Sequence, residues 1–275
     1  LIRPKLFAFD LDGTLLNSKK ELSHENIHAL NEMIEIGVIV VLASGRLGSS
    51  MAKYAKIFNN KVAMLTMNGS MVYMNGNGKL EQIYSEVLSV EYSNYLIDYA
   101  KDKPYGLNFY LDEKLYAVIN QDNQKWYDLY YDQTESPFVF LDSFDSLRTK
   151  APSKVLLVGD SELLDREQSY FKNLWSDSVY MCRTWHHYLE FMNIGVNKGK
   201  GIQKLAQRLN IENHEIVAFG DAENDIPMLQ VAGLGIAMNN AELQVKEAAK
   251  KVSRWTNDES GIAKEWELIK KELGI

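Results

Sequence analysis

Six consecutive apolar residues, Val38 to Ala43, constrain this chain more than any other feature. A strand with one face in water alternates apolar and polar side chains. A strand that is apolar throughout is covered on both faces, as in a parallel sheet between two layers of helix. The flanking segments fit that reading. "SHENIHALNEMIEIG" (23–37) reads as a helix with Ser23 as its cap, Gly37 as its stop, and Ile27, Leu30, Met33 and Ile34 at helical spacing. "KLFAF" (5–9) is a strand before it. "GSSMAKYAKIF" (48–58) follows as a helix and "VAMLTMNG" (62–69) as a third strand. Asn77-Gly78, between two strand-like runs in 71–84, predicts a hairpin.

The same alternation returns near the end of the chain. "GKGIQKLAQRLN" (199–210) reads as a helix, "EIVAFGD" (215–221) as a strand and "DIPMLQVAG" (225–233) as a short helix with Pro227 in its first turn. "GLGIAM" (233–238) is a strand, and "AELQVKEAAKKV" (241–252) and "GIAKEWELIKKEL" (261–273) are helices. Between these ends the character changes: thirteen of the fifteen tyrosines lie from Tyr84 to Tyr188, among strand-like runs such as "LNFYL" and "KVLLVG". The expected architecture is therefore α/β. A doubly wound parallel-sheet core (1–82 and 192–275) carries an inserted α+β domain (83–191).

Composition limits the function classes. A net charge of −7 argues against a general nucleic-acid or anionic-membrane binder. No apolar run approaches the roughly 20 residues of a membrane helix, and no signal peptide is expected from "LIRPK" at the start. Cys182 is the single cysteine, so no intrachain disulfide is expected and a reducing, cytoplasmic setting is the default. A monomer is favoured.

Open α/β sheets bind ligands beyond the carboxyl ends of their strands, and three strand ends here carry polar groups. The first is Asp10-Leu11-Asp12-Gly13-Thr14, where residues two apart in extended chain face one side. The second is Ser44-Gly45-Arg46. The third is Gly220-Asp221 with Asn224-Asp225, and Lys198 precedes the helix leading into that strand. These are the parts of a phosphoryl-transfer site. One carboxylate can carry an aspartyl-phosphate. A second can protonate the leaving oxygen and then activate water. A serine hydroxyl and a lysine can hold phosphate oxygens, and clustered carboxylates suit Mg²⁺.

With these motifs in order, the chain resembles the haloacid dehalogenase-like (HAD) hydrolase superfamily, and within it the Cof-type phosphatases with a large α+β cap. DxDGT is matched by Asp10, Asp12, Gly13 and Thr14; the strand-end Ser or Thr by Ser44; the lysine by Lys198; GDxxND by Gly220, Asp221, Asn224 and Asp225. "MNGS" with Asn68 and "AGLGIAMNNA" (232–241) also fit the Cof-type pattern. The resemblance covers almost the whole chain and implies a HAD-like Rossmannoid core. It implies that Asp10 is the nucleophile, Asp12 the general acid/base, and Ser44 and Lys198 the holders of the phosphoryl group. Gly45, Arg46, Asn68 and Asn224 are expected on the phosphate or substrate side. Mg²⁺ is implied at Asp10, the backbone carbonyl of Asp12 and Asp221, with Asp225 counted in the metal site and orienting metal waters or Lys198. The cap is expected to close over the site, and the substrate to be a small phosphorylated metabolite, a sugar phosphate or a phosphorylated cofactor.

A phosphomutase with the same nucleophile is the near alternative; a receiver-like phosphoacceptor module or a silent binding protein is the distant one. Asp12 and the large insert favour turnover. Several features read as decoys. "VLLVGDSELLD" (155–165) imitates the fourth motif but has Leu163 and Leu164 where Asn224 and Asp225 stand, so Asp160 reads as a strand end or helix cap. His186-His187, if in a strand, would point to opposite faces and are not a metal pair. "KWYDLYYD" (125–132) reads as a buried helix face rather than a base-stacking surface.

Overall fold

The structure is a computed structural model that describes residues 3–274. Leu1, Ile2 and Ile275, at the ends of the expected core segments and of the "LIRPK" start, lie outside the described residues. In chain order the elements are β1 (Leu6–Asp10), α1 (His24–Glu35), β2 (Ile39–Ala43), α2 (Gly48–Ile57), β3 (Ala63–Thr66), β4 (Met71–Gly76), β5 (Lys79–Ser85), α3 (Val90–Ala100), β6 (Gly106–Leu111) and β7 (Lys114–Ala117). Then come α4 (Gln124–Thr134), β8 (Phe138–Phe140), β9 (Lys154–Val158), α5 (Ser161–Trp175), β10 (Val179–Trp185), β11 (Tyr188–Asn193) and α6 (Lys198–Arg208). The last are β12 (Ile216–Gly220), α7 (Ile226–Val231), β13 (Leu234–Ala237), α8 (Leu243–Ala248), β14 (Lys251–Val252) and α9 (Gly261–Leu273). The chain divides into two compact units. One runs to Gly45, resumes over Met51–Tyr84 and continues from Asn197; the other comprises Arg46–Ser50 and Ser85–Val196.

The first unit is built on a sheet of order β14-β13-β12-β1-β2-β3-β4-β5. Every pair from β14 to β3 is parallel; β4 runs antiparallel to β3 and pairs with β5 in the expected hairpin. The period of two divides each strand between two cores. Phe7, Phe9, Val40, Leu42 and Phe219 face α1, α2 and α9, where Phe7 meets Trp266 edge-on at 5.5 Å. Leu6, Ala8, Val41, Ile216 and Ala218 face α6, α7 and α8. The fully apolar strands are thus covered on both sides, which makes the fold doubly wound. Asp10 shares the parity of Leu6 and Ala8 and therefore lies on the α6–α7 side.

The second unit is an α+β domain. Its sheet has the order β10-β11-β9-β6-β7-β8 and is antiparallel except for β7–β8. Leu107, Phe109, Val155, Leu157, Leu189 and Phe191 pack on one face with α3 and α5. Helix α4 buries Tyr127 and Tyr130, as the spacing of "KWYDLYYD" predicts.

Four expectations change. The helix expected over 241–252 spans only Leu243–Ala248, because Lys251 and Val252 complete the sheet edge beside Ile236 and Ala237. The strand expected over 62–69 stops at Thr66, because Met67, Asn68 and Gly69 take positive φ. The helix expected from 199 begins at Lys198, capped by Asn197, whose Oδ1 accepts from the Lys200 amide at 2.8 Å. His186 and His187 occupy the two-residue turn between β10 and β11 rather than a strand. Asp160 caps α5, accepting from the Glu162 and Leu163 amides.

Candidate active site

Strand β1 lies between β2 and β12, so chain order diverges on either side of it, and this is where such sheets bind ligands. Register places the polar strand ends side by side: Asp10 pairs with Ala43, the residue before Ser44, and Phe9 with Phe219, two before Asp221. Asp10 and Ser44 are almost fully buried. Helix α6 starts below this edge. Side chains of a helix tilt toward its N-terminus, so Lys198, in the first turn, points back at the strand ends. Its Nζ donates to Asp10 Oδ1 and to Asp225 Oδ1, both at 2.5 Å, and the lysine is wholly inaccessible to solvent.

Asp225 is held from its other side. Its Oδ2 accepts from the backbone amides of Asp221 (2.9 Å) and Ala222 (3.0 Å), which closes the turn after β12. Asp221 is left to face the β1 loop, where the Thr14 hydroxyl donates to its Oδ1 at 2.6 Å. That loop is tight: the Leu15 and Leu16 amides donate to the Asp10 and Leu11 carbonyls, and Gly13 sits at φ +81°. A Cβ on Gly13 would lie 2.3 Å from Asp221 Oδ2, so only glycine fits there.

Carboxylate oxygens of Asp10, Asp221 and Asp225 lie within 4.8 Å of one another. Three acids share one ammonium, and their electrostatics report the deficit of positive charge. Burial, then the Asp225 carboxylate, raise the Asp10 carboxyl well above its usual range, against the pull of Lys198. Burial and Asp225 push Asp221 up to about 7, against the Thr14 hydrogen bond. Burial opposes charge on Lys198, but Asp10 and Asp225 overcome it and hold the ammonium above the ordinary lysine range. The donors are all hard oxygens around an uncompensated negative charge. That set suits a small divalent cation such as Mg²⁺; Asp10 and Asp221 are the side chains that could hold it, with Asp225 beside them, both of its oxygens engaged by Lys198 and the turn amides.

The other expected residues fall into two groups. Ser44, Gly45, Asn68 and Asn224 form a second cluster: the Asn68 amide donates to the Ser44 carbonyl (3.0 Å), and Asn224 Nδ2 donates to Asn68 Oδ1 (2.8 Å). Gly45 lies so close that a Cβ there would be 3.2 Å from Asn68 Oδ1. The Asp12 carboxylate is exposed and is not one of the three clustered acids, but its charge reaches Asp10 and Asp221 and raises both. Arg46 groups with the second unit. Sequence reasoning misses two residues of the site. Thr14 falls within a matched motif, but nothing in the motif announces its bond to Asp221. Asn240 donates to the Gly13 carbonyl at 2.7 Å and accepts from the Asn257 amide at 3.0 Å, bracing the loop. A signal for it exists: Asn239-Asn240 is another polar pair just past a strand end.

The family model for haloacid dehalogenase-like hydrolases matches residues 7–265. The 5-amino-6-(5-phospho-D-ribitylamino)uracil phosphatase YitU of Bacillus subtilis is 28% identical, over 95% of this chain and 96% of its own. Among solved structures, TM0651 of Thermotoga maritima is 32% identical with a TM-score of 0.81, covering 96% of this chain and 97% of its own. A haloacid dehalogenase-like hydrolase of Bacteroides thetaiotaomicron is 30% identical with a TM-score of 0.84, covering 97% and 100%.

Proposed function

The chain belongs to the haloacid dehalogenase-like hydrolase family and is a phosphatase of small phosphorylated compounds, and we propose that it works through a phosphoryl group carried on Asp10 with Mg²⁺ as its metal. The observation that carries this reading is the buried Asp10 carboxylate held by Lys198 beside Asp221 and Asp225. Lys198 fixes Oδ1, so Oδ2 is the attacking oxygen. It bonds to phosphorus as the bond from phosphorus to the leaving oxygen breaks, and Asp12 gives that oxygen its proton. In the second half Asp12 takes a proton from water, whose oxygen bonds to phosphorus. The Asp10–phosphorus bond then breaks, which frees inorganic phosphate and restores the carboxylate.

Lys198 and the Ser44 hydroxyl hold the transferred oxygens in this scheme. Asp225 acts through Lys198, since both of its oxygens are engaged by the ammonium and by the turn amides. When bound at Asp10, Asp221 and the Asp12 carbonyl, the cation supplies positive charge that offsets the repulsion between phosphate and carboxylates. The ribitylamino phosphate named for YitU is a phosphorylated polyol, which supports a small metabolite, a sugar phosphate or phosphorylated cofactor, as the substrate. Among the described residues no helix is long and apolar enough to cross a membrane. The buried lone Cys182 agrees with a reducing, cytoplasmic setting.

The test is phosphate release from a panel of sugar phosphates, nucleotides and phosphorylated cofactors, with Mg²⁺, with EDTA, and with Asp10→Asn. Release that needs the metal and that Asp10→Asn loses, at an unchanged melting temperature, is expected. Undiminished turnover by Asp10→Asn would reject Asp10 as the nucleophile.

A further inference from the structure

The second unit holds a cavity of about 210 Å³ whose lining lies wholly within residues 97–148. None of its residues belongs to the carboxylate cluster. The floor is apolar and buried: Ile97 and Ala100 from α3, Leu107 from β6 and the ring of Tyr127 from α4. The rim is polar and carries Lys101, Arg148, Asp142 and Asp145, two charges of each sign, with Asn120 beside them. The space exceeds the roughly 150 Å³ of an apolar cavity that takes up benzene, so one ring or one branched side chain fits it.

The rim narrows the headgroup. A phosphate or other anion alone would meet Asp142 and Asp145, and a cation alone would meet Lys101 and Arg148. A group with both signs a few bonds apart matches both. Arg148 and Asp145 already hold each other at 3.1 Å, and Arg148 also reaches Asp98 at 2.5 Å. Lys101 makes no hydrogen bond or ion pair among the described residues, although its charge acts on Asp98 and Asp145, and Asp142 makes none either. The Asn120 side-chain oxygen accepts from the Asp122 and Asn123 amides, which turns its NH₂ to other use.

We propose that this cavity binds a free α-amino acid with an aromatic or branched apolar side chain. The side chain rests on the Ile97–Leu107 floor, the carboxylate meets Lys101 and the Asn120 NH₂, and the ammonium meets Asp142. The experiment is calorimetric titration of the full chain with L-phenylalanine and L-leucine, alongside phenylacetate, which lacks the ammonium, and phenethylamine, which lacks the carboxylate. At least one amino acid is expected to saturate below about 1 mM, and each one-charge analogue to bind about tenfold more weakly or not at all. Lys101→Ala and Asp142→Ala are expected to weaken binding about tenfold each. Both residues are exposed, so the melting temperature and the ligand-free phosphatase rate should stay at wild-type values. Ala100→Leu, which fills the floor, is expected to abolish binding. No saturation by either amino acid up to about 10 mM would overturn the proposal. So would analogues that bind as well as the amino acid, or binding that survives the rim and floor variants.

Discussion

Gly13→Ala separates backbone strain from collision at the carboxylate site. Gly13 has φ +81° and Gly37 has φ +83°, so alanine meets the same left-handed backbone at either position. A non-glycine residue held there costs about 1–3 kcal/mol. For a chain of this size that lowers the melting temperature by roughly 2–4 °C per kcal/mol. The surroundings differ completely. An added Cβ at Gly37 meets nothing within 4 Å, whereas at Gly13 it would stand 2.3 Å from Asp221 Oδ2 and 2.8 Å from its carboxyl carbon. Ordinary contact begins near 3.4 Å, so Asp221 must retreat by about 1 Å, and its 2.6 Å bond from Thr14 is lost or bent.

A displacement of that size in a catalytic group lowers the rate by about 10²-fold. Both variants should therefore fold with similar, modest losses of melting temperature, Gly13→Ala losing somewhat more. Gly37→Ala should keep wild-type kcat/KM, and Gly13→Ala should lose about two orders of magnitude. Metal-dependent phosphate release and thermal melts on the same preparations measure both effects. If Gly13→Ala stayed within about threefold of wild type, the assignment of Asp221 to the working site would be wrong. If Gly37→Ala lost comparable activity, strain rather than collision would be the cause.

The same contacts predict three further outcomes. Lys198→Met leaves the buried Asp10 and Asp225 without their ammonium, so it should lower stability by about 3–5 kcal/mol in chemical denaturation; a variant as stable as wild type would show that Lys198 does not balance them. Mg²⁺ at about one hundred times its dissociation constant should stabilise the wild type by about 2.7 kcal/mol, EDTA should reverse it, and Asp221→Ala should lose the shift; an unchanged shift would remove Asp221 from the ligands. Glu32 accepts from Lys270 and Trp266, both at 2.8 Å, and ties α1 to α9, with the Lys270 bond chiefly holding its carboxyl below the usual range. A lowered folded value means stabilisation present at neutral pH and lost as pH falls through that value. Glu32→Gln should therefore cost about 0.5–1 kcal/mol at pH 7, and the gap should shrink as pH falls below 4.5 and close once it has fallen through the lowered folded value; a gap constant with pH would refute the ion pair.

Local pattern made most of the first unit legible. Ser23 caps α1, accepting from the Asn26 amide at 3.2 Å, and α9 spans the very residues its periodicity marks, 261–273. What pattern could not reach was set by distant partners. Lys198, Lys200 and Lys204 look alike in sequence; resemblance alone selects the first. In the structure Asn197 fixes where α6 begins, which buries Lys198 against the strand ends and leaves Lys200 and Lys204 exposed. The bond between Asn68 and Asn224 joins residues 156 positions apart, and no spacing rule announces it. Lys251 and Val252 continue a helical composition, yet an open edge beside β13 claims them as strand. Tertiary context overrides propensity where a sheet edge offers hydrogen bonds that a fraying helix end lacks.

The two copies of the sequence Val/Phe-Gly-Asp show how a local string acquires or loses chemistry. Asp160 and Asp221 each follow a glycine at the end of a buried strand, and each precedes a helical turn whose first amides need acceptors. After Asp160 come Leu163 and Leu164, whose side chains accept nothing, so Asp160 must cap the helix itself, and its Oδ1 takes the Glu162 and Leu163 amides at 3.1 and 3.3 Å. After Asp221 the helical turn begins one residue later, with Ala222 at its cap position, and Asp225 Oδ2 accepts from the Asp221 and Ala222 amides themselves. The Asp221 carboxylate accepts from Thr14 and lies with Asp10 in the acid cluster. Sheet topology reinforces the difference. β9 lies between antiparallel neighbours, β6 and β11, whereas β12 lies parallel to β1 at the point where strand order diverges. The acid four residues on ties the turn back onto the Asp221 and Ala222 amides while the Asp221 carboxylate faces the site, whereas the Asp160 carboxylate is engaged in capping α5. The distinction is readable in sequence because Leu163 and Leu164 stand where the fourth motif has Asn224 and Asp225.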